Sequence, residues 1–170
     1  EHQGTYASTR SDGHGRAIRT TERAHVSGAI EARYIETSYL VTGEPFRITR
    51  RRALADAGDA VTRWMRYDSL GRMVLNVEPN TTNAYIPPPS SGSPDFDQSG
   101  VGAVWRYAYN DAGDLVGTAD ARGCGVNFHY DLAGRLLMED YIPCQPDQQE
   151  YSAPDYAAGT GVEVAYYYDA

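Results

Sequence analysis

Apolar and polar residues alternate with a period of two through much of this chain, and the alternation breaks at recurring places. Val126, Phe128 and Tyr130 alternate with Asn127 and His129, which marks a strand with one apolar face. The break follows at Asp131-Leu132-Ala133-Gly134-Arg135, and Leu136-Leu137-Met138 then runs back. An Asp can bond its own backbone two residues on, and a Gly can take the positive φ that ends a tight turn. The segment predicts a β-hairpin with its tip at Asp131–Gly134.

The same hairpin recurs along the chain. Tyr109-Asn110-Asp111-Ala112-Gly113-Asp114 lies 21 residues before the Tyr130 copy, and Tyr67-Asp68-Ser69-Leu70-Gly71-Arg72 lies 42 before that. Ser11-Asp12-Gly13-His14-Gly15-Arg16 is 56 further back, with a worn copy, Tyr39-Leu40-Val41-Thr42-Gly43-Glu44, halfway between. A sixth begins at Tyr168-Asp169. Such self-similarity is the mark of a repeat array. The pattern predicts tips at Asp12–Gly15, Val41–Gly43, Asp68–Gly71, Asp111–Gly113 and Asp131–Gly134. It makes Asp12, Gly15, Gly43, Asp68, Gly71, Asn110, Gly113, Asp131 and Gly134 the structural turn residues. Tyr39, Tyr67, Tyr107, Tyr109, Phe128, Tyr130 and Tyr168 are the repeat aromatics.

Between the tips the chain reads as strands: Thr5–Arg10, Arg16–Ala24, Ala32–Tyr39, Phe46–Arg52, Val61–Tyr67, Arg72–Val77, Ala103–Tyr109, Leu115–Thr118 and Val162–Tyr168. Ser27-Gly28 and Asp56–Asp59 read as further turns, with a single helical turn over Ala53–Ala60 as the alternative to the latter. Two stretches read as loop insertions that project from the sheet: 82–100, rich in Pro, Ser and Gly, and 145–160, within a segment Pro143–Gly161 that carries three prolines. Little reads as helix. The expected fold is all-β, built from antiparallel hairpins over 1–170, with Trp105, Tyr107 and Tyr109 forming ladders between adjacent hairpins.

Tyrosine is the compositional outlier, with 14 copies against three Phe and two Trp, and it suits a sheet face that is apolar in its body and wet at its tip. The formal net charge of −8 argues against a general nucleic-acid binder. The cluster Arg50-Arg51-Arg52 reads as a solvated strand end. No run of about 18 apolar residues is present, so no helical membrane span is expected. Glu1-His2-Gln3-Gly4 carries no initiator Met or signal peptide, and Ala170 falls inside a repeat. Both ends therefore read as cuts in a longer chain.

Catalytic chemistry is not legible. His2, His14, His25 and His129 are scattered without ligand spacing, and the carboxylate pairs Asp95/Asp97 and Glu139/Asp140 read as solvated. The Gly-rich run Asp120–Gly125 lacks the Lys and the following helix of a phosphate loop. No nucleophile has a visible base. The expectation is a non-enzyme without metal or cofactor.

Tyr67–Arg72 and Tyr130–Arg135 resemble the YD repeat of the Rhs family, which includes bacterial Rhs proteins, the C component of insecticidal toxin complexes and the animal teneurins. The resemblance spans nearly the whole chain outside the insertions and is best from Trp105 to Cys144. The early copies depart from it, with Ser11 for Tyr, Leu40 for Asp and Glu44 for Arg. The resemblance implies a segment of a spiralling antiparallel β-shell that, in bacterial members, commonly encloses a variable C-terminal toxin. The family's self-cleaving segment carries Asp-Pro motifs, and no Asp-Pro dipeptide occurs here. The implied role is a structural, secreted or cell-surface wall. Its partners would be the rest of the same chain and the enclosed domain, with secretion machinery or surface glycans as further candidates. The alternative is a cell-surface carbohydrate-binding or adhesion module. An excerpt of such an array is expected to be marginally stable or aggregating by itself.

The only two cysteines, Cys124 and Cys144, flank the best hairpin. Counting outward from Leu132-Ala133, position 124 falls opposite about 141, so Cys144 lies some three residues beyond its partner position. Gly123, Gly125 and Pro143 loosen both flanks. The expectation is a disulfide across the hairpin's feet, with two free thiols as the alternative that a reducing compartment would maintain.

Overall fold

The computed structural model describes residues 4–52, 58, 60–79 and 104–169. Among the described residues the chain is all-β, with eleven strands and no helix. It divides into two compact units, residues 1–72 and 73–170. The expected insertion at 82–100, the turn at Asp56–Asp59 and the alternative helical turn over Ala53–Ala60 fall wholly or largely outside the described residues.

The first unit holds β1 (Ser8–Ser11), β2 (Ala17–Val26), β3 (Ala29–Tyr39), β4 (Pro45–Arg51) and β5 (Val61–Tyr67). Each pairs antiparallel with the next in sequence. Ser27 and Gly28 both have positive φ, 51° and 85°, which makes the two-residue turn whose twist matches its flanking strands. The second unit holds β6 (Met73–Val77), β7 (Trp105–Tyr109), β8 (Leu115–Ala119), β9 (Gly125–Tyr130), β10 (Leu136–Ile142) and β11 (Val164–Ala165). It has the same neighbour-to-neighbour antiparallel order. The last strand is shorter than the expected Val162–Tyr168. After Ala165 the Tyr166 amide still donates to the carbonyl of Leu137 at 2.8 Å, and the Tyr168 hydroxyl donates to that of Leu136.

Among the described residues, buried apolar side chains are few: Met65 in the first unit, and Leu75, Val77 and Val104 in the second. Hairpins with so thin a core rely on the strands beside them for satisfied edges and buried faces. Polar pairs take up part of that work. Thr49 and Thr62 share a hydroxyl hydrogen bond of 3.1 Å across β4 and β5, and Glu36 accepts from both Arg19 and Arg51. Phe46 and Trp64 meet at 6.3 Å between centroids. The anticipated ladder of Trp105, Tyr107 and Tyr109 does not form as a row of facing aromatics. Trp105 lies opposite Asn76 and Tyr107 opposite Thr118, both polar, while Tyr109 lies opposite the aliphatic Leu115.

A feature absent from the sequence reading recurs one step beyond the turns. Arg10 lies opposite Arg19 but Ser11 lies opposite Ala17, so Ile18 is an extra residue on the return strand. Phe46, Val116 and Leu137 are extra in the same place in three later hairpins. All four bulged residues are apolar. Each bulge lets two residues of the return strand oppose one of the outgoing strand. The disulfide count is corrected by two residues, one from the loop, which sets Tyr130 opposite Leu136, and one from the bulge at Leu137. Val126 lies opposite Tyr141 and Gly125 opposite Ile142, so Cys124 faces position 143 and Cys144 is one residue past register rather than three.

Candidate functional site

The repeated element of the fold is a turn that six segments share: 12–16, 40–44, 68–72, 110–114, 120–124 and 131–135. In each, the N–H of the first residue donates to the carbonyl of the fifth, and the N–H of the fourth donates back to the carbonyl of the first, at 2.7–3.1 Å. The fourth residue is always Gly, with φ between 77° and 115°. This is a type I turn closed by a left-handed residue, the three-residue hairpin loop in which Gly is favoured. In the worn copy Leu40 replaces Asp, and Gly43 still makes the turn.

Where the first residue is Asp, one carboxylate oxygen accepts two backbone amides. Asp131 Oδ1 accepts from Ala133 and Arg135, both at 2.9 Å, and Asp12 and Asp68 repeat the pattern. The other oxygen accepts the Nε of the arginine four residues on, at 2.8 Å for Arg16, 2.7 Å for Arg72 and 2.8 Å for Arg135. Asn110 inverts the polarity: its amide donates to Asp114 Oδ2 at 3.0 Å.

At Asp12, Asp68 and Asp120, partial desolvation works upward, but it is outweighed by hydrogen bonds from Arg16, Arg72 and Arg122, so all three carboxyls sit below the ordinary range. At Asp131 the backbone amide of Arg135 leads the lowering. These groups are near the surface, so solvent screens much of the effect.

The sequence-derived aromatics divide by role. Tyr39, Tyr67, Tyr109, Tyr130 and Tyr168 each donate a hydroxyl to a main-chain carbonyl. The acceptors are Ala17 (3.0 Å), Pro45 (3.0 Å), Met73 (3.0 Å), Leu115 (2.9 Å) and Leu136 (2.7 Å), in that order. Every acceptor is the first residue of the preceding repeat's return strand. Each repeat therefore latches the one before it. The arginine of the latched turn adds a cation–π contact in two cases, Arg16 over Tyr39 at 4.8 Å and Arg135 over Tyr168 at 5.0 Å. Tyr107 and Phe128 lie within β7 and β9 and take no part in a latch of this kind.

Tyr130→Phe is expected to cost about 0.5–1.5 kcal/mol, the net worth of one such bond. Urea denaturation would read this as a lower midpoint with an unchanged slope.

Desolvation, with the Glu44 charge, raises the Tyr67 hydroxyl; desolvation, with Asp114 and Glu139, raises that of Tyr130. A raised tyrosine contributes stability that is full below the unfolded value of about 10 and lost as pH climbs through the folded one. The lowered aspartates act in the opposite sense. Their contribution is full above about 3.9 and lost as pH falls through their folded values. Melting temperature against pH should show a plateau with both limbs, and the double variant Tyr67→Phe/Tyr130→Phe should have the shallower alkaline limb.

Sequence reasoning missed the turn at 120–124. It lies at the opposite end of the strands from the other turns of its unit, lacks a tyrosine before it, and has its arginine at the third position. Arg122 reaches Asp120 Oδ2 through Nε at 2.8 Å and Nη2 at 2.6 Å. The surviving signal was Asp-x-x-Gly. Its fifth residue is Cys124, which is disulfide-bonded to Cys144 with the Cα atoms 4.7 Å apart.

The segment 145–160 is largely exposed but is tied back to the sheet by two of its side chains. Its tyrosines return to the polar face of β9 and β10, where the Tyr156 ring stacks on His129 at 4.4 Å. The Tyr151 hydroxyl donates to Asp140 Oδ2 at 3.2 Å, and Asn127 donates to the same oxygen at 2.9 Å. Asp140, expected to be solvated, is 1% exposed. Polar partners on that face make covering it more favourable than leaving the insertion in water. Beside the disulfide lies a hollow of about 350 Å³, lined among others by Tyr141, Tyr151, Gln148, Glu150 and Glu163.

No protein-family model matches the chain. A stretch of 78 residues, 45% of this chain, is 38% identical to part of the double-stranded DNA deaminase toxin A of Burkholderia cenocepacia (strain H111). The matched stretch spans 5% of that protein's length.

Proposed function

We propose that these residues are part of the wall of a hollow β-shell of the Rhs type, a non-catalytic casing around a C-terminal toxin or effector domain of the same chain. The observation that carries this reading is the latch: each repeat satisfies a main-chain carbonyl of its predecessor, so the array extends by adding hairpins and not by closing a core. The tyrosine hydroxyls are spent on the wall itself. The similarity to a protein named as a toxin supports the same reading. It covers one-twentieth of that protein, so the activity in its name is not carried over to this chain. The disulfide fits a secreted or cell-surface life, since such bonds persist in oxidising compartments. Limited proteolysis of the full-length protein tests the casing role. The enclosed domain should resist cleavage until latches are removed, as in Tyr109→Phe/Tyr130→Phe. Equal cleavage with intact and broken latches would end the reading.

A second reading, a carbohydrate-contacting surface, has one observation in its favour. Tyr141 and Tyr151 are 43% and 48% exposed beside the hollow at the disulfide, together with acids and amides suited to hydroxyl groups. A glycan array probed with the whole protein separates the two, because a wall alone gives no glycan signal.

A further inference from the structure

The 120–124 turn differs from its sisters at one chemically telling place. In the turns at Asp12, Asp68 and Asp131, the fifth residue is an arginine whose guanidinium sits against the aspartate Oδ2. In the turn at Asp120 that fifth residue is Cys124. Its amide keeps the 3.0 Å bond to Asp120 Oδ1, so the backbone frame is unchanged. Sulfur therefore stands where the sister turns place a cation. Cys144 Sγ is bonded to it, and a carboxylate oxygen of Asp120 and both sulfurs all lie within 4.8 Å of one another. The arginine that does reach Asp120 comes from the third position and is 67% exposed, so it can swing away.

We infer that this cluster is a redox-gated site for a thiophilic divalent cation, zinc before others, closed by the disulfide and opened by a dithiol reductant. The dithiol gives up two electrons and two protons, becomes a cyclic disulfide, and leaves Cys124 and Cys144 as thiols. Zn²⁺ then displaces the two thiol protons and takes two thiolates and the Asp120 carboxylate. Sulfur and carboxylate oxygen are both ligands of tetrahedral zinc, and water or an amide oxygen completes the set. Gln148 offers such an oxygen. Its Oε1 lies 4.0 Å from Cys124 Sγ and already accepts the Cys144 and Gln145 amides, both at 2.7 Å, so it would give one of them up to bind the metal.

The S–S bond is not the sole restraint that holds the two sulfurs close. The β9–β10 ladder runs to Gly125 opposite Ile142, the Asp120 turn holds the Cys124 backbone, and Gln148 holds that of Cys144. Reduction thus leaves a prepared ligand set. This site does not depend on the casing role.

The test uses the whole chain, oxidised or reduced with a phosphine, titrated with Zn²⁺ against a chromophoric chelator and with Co²⁺ as a spectroscopic probe. The reduced chain should bind one equivalent and give a thiolate-to-cobalt charge-transfer band, and the oxidised chain should do neither. Asp120→Asn should weaken zinc binding by more than about tenfold, the low end of what even an outer-shell partner costs. Asp131→Asn, at a sister turn without sulfur, should leave it unchanged. Absence of zinc uptake by the reduced chain would overturn the site, as would equal uptake by the oxidised one. So would an Asp120→Asn variant that binds as tightly as the parent, including the case in which reduction melts the hairpin and two unstructured thiols bind alone.

Discussion

Gly134→Val is expected to lower stability by about 1–3 kcal/mol, the cost of holding a side-chain-bearing residue in left-handed space, and at the upper end because valine is β-branched. The position isolates the cause. Gly134 has φ +77°, and a Cβ built there meets nothing within 4 Å, so no clash contributes. Gly134→Asn should therefore recover much of the loss, since Asn tolerates this conformation better than most residues. Gly71→Val should lose somewhat more, because its Cβ would come within 2.9 Å of Glu44 Oε1 as well as straining a φ of +78°. Urea midpoints of the three variants check the ranking. Parental stability of both valine variants would show that the turn does not need a left-handed fourth residue.

The second large effect is expected on opening the disulfide. Cys124 and Cys144 are 20 apart in sequence, and a loop of about that size corresponds to roughly 3 kcal/mol in the chain-entropy account. Cys144→Ser, measured in oxidising buffer with a chelator present, should show that loss as a lower urea midpoint. Hydrogen exchange should locate it at the feet of β9 and β10 and not at the Asp131 tip. The tip holds itself together by bonds from Arg135 and Ala133 to Asp131 and from Gly134 to the Asp131 carbonyl. A loss spread evenly over the chain would mean that the bond acts on the whole array and not on one hairpin.

What could be read from the sequence was what five consecutive residues decide. Asp and Gly at first and fourth place fix a turn by local hydrogen bonds and one permitted φ, so the tips at 12–15, 68–71 and 131–134 were legible. The all-β, antiparallel character followed from the period of two. The bulges at Ile18, Phe46, Val116 and Leu137 were not legible. An extra apolar residue in an apolar strand leaves no mark on composition, and it supplies one of the two residues by which the disulfide register was misjudged; the odd-numbered loop at 131–135 supplies the other. The tyrosine latches were invisible for a different reason. The hydroxyl and its carbonyl stand between 15 and 36 residues apart, and a backbone acceptor has no side chain to betray it. The covered face at Asp140 escaped because Tyr151 and Tyr156 come from a segment with no periodicity.

The latches all point backwards along the chain, and this gives synthesis a direction. On a ribosome, the turn closed by Asp68 and Arg72 emerges complete, but the carbonyl of Met73 stays unanswered until Tyr109, 36 residues later, leaves the exit tunnel. At about 5–20 residues per second that wait is about 2–7 s. The next carbonyl, that of Leu115, waits for only 15 residues, until Tyr130. The nascent array thus carries one unsealed hairpin at its growing front and sealed ones behind. Chaperone demand travels with that front, and it is greatest where an insertion delays the next tyrosine.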